Sequence, residues 1–265
     1  MRFLAETRAA IAAALAAGRI LDRWFGRVGA VRLKSARDPV TRADEASERT
    51  IRRFLGRRFP TVGFLGEEGG AVSTGPDGRW IVDPLDGTIA FVAGLPTFGV
   101  SIALERRGRL EAGVMLFPRL RELFVAERGH GAWLNGRRIH VTRTRDMARC
   151  VVSLWHEPGL WSDRRMRERV ARIGAEVRSV AMVGACFSLA YVAAGRFDAY
   201  WERQAHPWDV AAGVLLVREA GGHVTGGAGQ PFNVDEATIV ASNGRIHARM
   251  VALLNGRRPA APRVQ

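Results

Sequence analysis

The chain has 265 residues, enough to bury one large core or two joined ones, and its apolar fraction of 47% with both charge signs interspersed excludes a disordered chain. The net charge is +14, with Lys34 the only lysine. The arginines are scattered through expected helices and turns without an interleaved aromatic platform, which argues against a nucleic-acid-binding role.

A stretch resembling a secretory signal opens the chain, but Glu6 and Arg8 interrupt it. An amphipathic helix over 3–25, packing Phe3, Ile11, Leu15 and Leu21, is the better reading. A second helix is expected over 41–58. Ahead of it, Asp38-Pro-Val-Thr-Arg-Ala-Asp44 holds the chain extended at Pro39, and Thr41 with Asp44 resembles a capping box with Asp in place of Glu. A short strand at 63–65 ends on Gly66-Glu67-Glu68-Gly69-Gly70, where adjacent acids repel one another unless a cation neutralises them.

The apolar run from Trp80 stops at Asp83, and Pro84 cannot donate to a ladder, so a buried strand is expected to end there. Asp83 and Asp86 then share a strand end. Hard divalent cations take oxygen ligands and keep several waters, so paired carboxylates beside open space suit them. Gly87 allows close backbone approach, and a helix beginning at Thr88 or Ile89 would aim N–H groups and its positive dipole end at a phosphate. Taken alone, Asp-Gly is ordinary turn chemistry.

Strands at 99–105, 111–117, 122–127 and 139–141 follow, with Gly108 as a hairpin turn, giving the first half a largely antiparallel sheet. After Thr142 the pattern alternates. Strands at 150–154, 176–179 and 199–201 alternate with helices at 164–173, 184–194 and 210–220, which implies a parallel layer. Asp209 lies in the first turn of the last helix, after Pro207 and Trp208, and by itself is an ordinary cap. Two tightly packed units, 1–142 and 143–265, are expected without a long linker or internal repeat, and with a frayed tail over 256–265. The uncharged stretch 179–195 falls short of the about 20 apolar residues that cross a bilayer, so no membrane span is expected. Cys150 and Cys186 lie in apolar stretches without CxxC spacing. They read as buried thiols of a reducing compartment, and the cytoplasm is the expected location.

In this order and at these separations, Gly66-Glu67-Glu68, Asp83-Pro-Leu-Asp-Gly-Thr88 and Trp208-Asp209 before an Ala/Val/Leu helix resemble the inositol monophosphatase family of Mg²⁺-dependent, lithium-sensitive phosphomonoesterases. The resemblance runs from near Lys34 through 113–118 and 127–136 to 189–202 and 208–222. It implies a layered αβαβα sandwich, of mixed α+β and α/β character, with metals between the halves. By that resemblance Glu67, Asp83 and the Leu85 carbonyl hold one Mg²⁺, Asp83, Asp86 and Asp209 hold a second, and a third, weaker ion sits near Glu67. Mn²⁺ suits the same ligands.

Asp44, Glu67 and Thr88 form the implied catalytic set, with Asp44 and Thr88 polarising the attacking water. The implied substrate contacts are Asp86, Gly87, Thr88, Ala185, Glu202 and Asp209, with Gly87 and Thr88 donating backbone hydrogen bonds to phosphate. The chemistry is an in-line displacement by water without a covalent phosphoenzyme, and the metal-free protein is expected to be inactive.

Glu202, seven residues before Asp209, stands where the family contacts polyol hydroxyls, which favours an inositol phosphate. Two departures concern the pocket: Ala90 replaces the usual asparagine, and Val183-Gly184-Ala185 replaces Gly-Ser-Ala. Histidinol phosphate ranks second, since related histidinol-phosphate phosphatases also depart at the first position, though with basic or polar residues where Ile89 and Ala90 are apolar. Fructose 1,6-bisphosphate and nucleotide 3′-phosphates are further options. Trp155 and His156 read as packing residues. Relatives are commonly homodimers, which is adopted here, and some moonlight on the transcription machinery. A regulator binding that machinery or RNA is therefore the alternative of another class.

Overall fold

The computed structural model describes residues 3–27, 31–35, 38–69, 75–156 and 162–256. The expected tail lies outside these residues, apart from Gly256, as does Gly70. Helix α1 (Ala5–Trp24) buries Ala9, Ala10, Ala13, Ala14, Ala17 and Leu21, a small-residue stripe at helical spacing that lets it lie close on its neighbours. Leu15 is not part of that stripe. Against expectation it is 40% exposed, because the alanines occupy the inward face.

A two-stranded ribbon, β1 (Arg32–Ser35) and β2 (Asp38–Val40), leads into α2 (Arg42–Arg58). Thr41 and Asp44 form the expected capping box at its start. The Asp44 carboxylate accepts from the Thr41 amide (2.8 Å) and hydroxyl (2.6 Å), and the Ala43 amide donates to Thr41 Oγ1.

A seven-stranded sheet comes next, in chain order from edge to edge: β3 (Gly63–Gly66), β4 (Arg79–Asp86), β5 (Gly99–Arg106), β6 (Arg109–Phe117), β7 (Glu122–Glu127), β8 (Gly131–Leu134) and β9 (Arg137–Ile139). Only β3 and β4 run parallel. The β5–β6 hairpin turns on Arg107 and Gly108, both at positive φ (51° and 69°), as a primed turn requires. The strand expected over 139–141 starts earlier, because Asn135 and Gly136 make a second such turn and pair 137–139 with β8.

Strand β4 does not end at Asp83. The ladder with β5 is irregular between Asp83 and Asp86, so Pro84 occupies the interruption, where no donor is missed, and pairing resumes at Asp86 with Gly99. Side chains alternate along the strand. Trp80 and Val82 join the core under α1 and α2, whereas Ile81 joins the core on the opposite face. Asp83 follows the second set by the same alternation. Helix α3 (Thr88–Val92) starts one residue past β4.

The remaining chain builds a five-stranded sheet of β10 (Val151–His156), β11 (Ser179–Ala181), β12 (Ala199–Arg203), β13 (His223–Thr225) and β14 (Thr238–Ser242), in the order β11-β10-β12-β14-β13. It is parallel only in part. β10, β11 and β12 are parallel as expected, but β14 runs antiparallel to β12 and β13. Strand β11 begins later than the expected 176, since the amides of Arg178 and Ser179 turn onto the Cys150 carbonyl first.

Helices α4 (Arg164–Gly174) and α7 (His247–Leu254) share one core with β10, β12 and β14, while α5 (Ala185–Ala193) and α6 (Pro207–Glu219) fill the space between the two sheets. The result is five layers, α1/α2, sheet, α5/α6, sheet, α4/α7: an αβαβα sandwich. No helix among the described residues is long and apolar enough to cross a membrane.

Candidate metal centre

Five carboxylates converge where the end of β4 meets the starts of α5 and α6. Asp83 and Asp86 are buried on β4, Glu67 stands on the turn after β3, Asp209 lies in the first turn of α6, and Glu202 is buried near the end of β12. Each is set by local structure. The Glu67 amide donates to the Val82 carbonyl, extending the β3–β4 pairing by one step. Asp209 is the N3 residue of a capping box on His206, with Pro207 at the first helical position, and its Oδ2 accepts from the His206 amide at 2.9 Å.

The electrostatics of the cluster are unbalanced. Burial pushes the Asp83 carboxyl well above the usual carboxylate range, and the charges of Glu67, Asp86 and Asp209 push it further. Burial raises Asp86 to about 7, with hydrogen bonds from Cys186 and Phe187 at the start of α5 pulling it down and Glu67 pushing it up. Asp209 is raised well above its ordinary value by burial and then by Glu202, Asp86 and Glu67. Asp86 Oδ2 is buried without a hydrogen-bond partner among the described residues. Glycine at 184 leaves room beside that oxygen, since a Cβ there would stand 3.2 Å from it. Like charges held together around an orphaned carboxylate oxygen suit a hard divalent cation.

The other expected residues lie on the elements that meet around this centre. Gly87 caps α3 at φ 80°, a left-handed conformation that favours glycine, and a Cβ there would also stand 2.8 Å from the Thr97 carbonyl. Thr88 Oγ1 lies 3.1 Å from Asp44 Oδ1 and 3.0 Å from the Leu85 carbonyl oxygen, so its single proton serves one of the two. Asp44 is raised by burial, against the lowering effect of its hydrogen bonds from Thr41 and Thr88. Ala185 is buried at the start of α5. Glu202 Oε2 accepts from the Tyr200 hydroxyl at 2.6 Å. Trp155 packs at the edge of the central core, as expected, while the side chain of His156 lies outside the described residues.

Several residues of the site escaped the sequence reading. Ser47 Oγ donates to the Pro84 carbonyl at 2.7 Å, fixing the irregular step of β4 from α2. Glu48 accepts from the Glu68 amide at 2.8 Å and so holds the acidic turn from beneath. The available signal was a polar interruption of helical spacing, with Ser47 between buried Ala43, Ile51 and Leu55, and Glu48 four residues after Asp44. Ser101, paired with Asp83 across the ladder, donates to the Trp208 carbonyl at the start of α6. Cys186 corrects an expectation of apolar surroundings. It is a buried free thiol that shares with Asp83 and Asp86 a cluster of ligand atoms all within 4.8 Å of one another, and its Sγ donates to the Asp209 carbonyl.

Comparison with known proteins identifies the family. The family model for the inositol monophosphatase family matches residues 4–258. The chain is 43% identical over 242 residues to an inositol-1-monophosphatase of Rhizobium meliloti, covering 89% of this chain and 91% of that protein. It is 39% identical over 243 residues to the Nus factor SuhB of Pseudomonas aeruginosa, covering 88% and 90% respectively. Among solved structures, the extragenic suppressor protein suhB of Bartonella henselae superposes with a TM-score of 0.89 at 42% identity, covering 93% of this chain and 97% of that one. The chain therefore belongs to the inositol monophosphatase family and is a phosphoric monoester hydrolase.

Proposed function

We propose that the protein is a Mg²⁺-dependent phosphomonoesterase whose substrate is a small polyol phosphate, with inositol monophosphate first. The observation that carries this reading is the orphaned Asp86 Oδ2 within a set of carboxylates that raise one another's pKa. Glu67, Asp83, the Leu85 carbonyl, Asp86 and Asp209 are the residues that would hold two to three cations, Mn²⁺ being chemically acceptable there. Mg²⁺ bound at such a centre would make a water more acidic and neutralise charge on the phosphate and the leaving oxygen.

Asp44 and Thr88 orient the attacking water, a role supported by the Thr88 hydroxyl lying within hydrogen-bond distance of both Asp44 Oδ1 and the Leu85 carbonyl. The amides of Gly87 and Thr88, at the start of α3, face phosphate oxygens. Glu202 receives a substrate hydroxyl. Its support is its place beside Asp209, whose carboxyl it raises more than any other neighbouring charge does. Ala185 and Gly184 shape the wall next to Asp86.

The test is phosphate release with and without Mg²⁺ over inositol 1-phosphate, histidinol phosphate, fructose 1,6-bisphosphate and a nucleotide 3′-phosphate, with Asp86→Asn as control. Mg²⁺-dependent release from inositol 1-phosphate, absent in the variant, is the expected result. Preference for histidinol phosphate would move the substrate assignment, and release that ignores Mg²⁺ would overturn the mechanism.

A second reading, a binding role on the transcription machinery, draws its support from the relative that carries the name Nus factor. It predicts that cells carrying Asp86→Asn keep a wild-type phenotype. A homodimer is the proposed assembly, to be read from sedimentation equilibrium.

A further inference from the structure

A basic cleft lies behind the acidic centre, on the other face of β12. Residues alternate along that strand, so Tyr200 belongs to the core shared with α5 and α6, and Trp201 to the core shared with α4 and α7. Glu202 and Arg203 follow the same alternation. The cleft on the Trp201 side has a volume of about 410 Å³, within the roughly 300–1,000 Å³ typical of small-molecule sites. Arg165 and Arg169 of α4, Trp201 and Arg203 of β12, and Thr238 of β14 line it.

Arg165 and Arg203 are exposed, whereas Arg169 is half-buried and held in place. Arg169 Nε donates to the Leu254 carbonyl at 3.0 Å and Arg172 Nε to the Leu253 carbonyl at 2.9 Å, which anchors this face of α4 on the end of α7. Asp163 is the single carboxylate among the lining residues. It is already engaged, with Oδ1 accepting from the amides of Arg165 and Met166 as the α4 cap and Oδ2 lying 3.3 Å from Arg203 Nη1. Three guanidinium groups against one carboxylate leave two positive charges, the match for a phosphate dianion. Burial lowers the pKa of Arg169, the neighbouring charges of Arg203, Arg172 and Arg165 lower it further, and Asp163 opposes them, the effect expected where cations outnumber their counter-ion.

We propose that this cleft is a second ligand site, which binds a phosphorylated small molecule through its phosphate group on Arg165, Arg169 and Arg203. Planar guanidinium forks suit phosphate oxygens, and the Thr238 hydroxyl supplies a further polar contact.

Titration calorimetry at low ionic strength in the presence of EDTA tests this, with pyrophosphate and then inorganic phosphate as probes. Without divalent cations the acidic centre repels anions, so a saturable heat must come from elsewhere, and no turnover is measured. The expected result is one site per chain, weakened about tenfold or more by Arg165→Ala/Arg203→Ala. Arg57→Ala/Arg58→Ala, at the far end of α2, should leave it unchanged. The first pair spares the Arg169 contact with Leu254, so its thermal melt should match the wild type. No saturable binding overturns the proposal. So does binding of several anions per chain that both variants weaken alike, which would be diffuse attraction to a protein of charge +14.

Discussion

Asp198 stands just ahead of β12 and Glu202 near its end, both almost wholly buried, yet their surroundings differ in kind. Asp198 accepts from the Thr142 hydroxyl at 2.6 Å and the Val151 amide at 2.8 Å, and its carbonyl takes the Asn243 amide. Asn243 closes the knot, donating to Thr142 Oγ1 and the Thr144 carbonyl and accepting from the amides of Arg245 and Ile246. Glu202, at the other end, adds its charge to a cluster of like charges. Buried charges that hold a fold together are answered by donors from within the chain, whereas carboxylates gathered with like charges, even where one accepts a hydrogen bond as Glu202 does from Tyr200, mark where a cation would relieve the repulsion.

The sharpest way to break this contrast is to neutralise one residue at each end. Asp86→Asn removes a charged oxygen from the open end. Phosphate release should fall about 10³-fold, the equivalent of several kcal/mol of lost charge stabilisation. In EDTA the same variant should melt at a higher temperature than the wild type, because one repelling charge has gone. A lower melting temperature there would mean that the carboxylates are not a strained set. Asp198→Ala, at the closed end, should do the reverse. It strands the Thr142 hydroxyl and the Val151 amide and should cost about 2–3 kcal/mol in urea unfolding. Its kcat per folded molecule should stay at the wild-type value.

The two ends also differ in how far the sequence announces them. The open end was legible because its chemistry is local. Asp83, Asp86, Gly87 and Thr88 fall within six consecutive positions, and the Thr41–Asp44 cap follows from spacing alone. What it lacked was the tertiary support, since nothing in the chain order says that Ser47 reaches Pro84 or that Cys186 lies against Asp86. Pro84 misled for a related reason. Its missing donor ends a regular ladder but not one already interrupted at that step.

The closed end was invisible, because Thr142, Asp198 and Asn243 are each ordinary and about 50 residues apart. β13, β14 and α7 were likewise unread, being short and carrying little period of their own, so the sheet's antiparallel edge came as a correction. The Asn135-Gly136 turn is a different case. That dipeptide is a strong hairpin signal, yet β8 was passed over and β9 was expected two residues late, since each has only three or four residues.

The smallest expected effect separates the ends by pH. At the closed end His247 is buried with both ring nitrogens on hydroxyls, Nε2 on Thr225 and Nδ1 on Ser242, and Ser242 pairs with Ala199 at the start of β12. Burial, with His223 adding to it, lowers its pKa to about 4. Because that folded value lies below the ordinary 6.5, the stability it contributes is present above about 6.5 and is lost as pH falls toward 4. Asp86 runs the other way. Raised to about 7 from 3.8, it contributes stability that is present below 3.8 and lost as pH rises through 7. Between pH 4 and 7 the metal-free protein therefore carries two opposed slopes. Urea midpoints measured across that range should flatten on the acid side in His247→Asn, and decline less steeply toward neutrality in Asp86→Asn, where Asp83 and Asp209 still carry raised values. Saturating Mg²⁺ should cancel the second slope and leave the first, since only the open end has a cation to gain. A wild-type profile that Mg²⁺ shifts equally at every pH would show that the carboxylates of the open end do not titrate as a group apart from the rest of the fold.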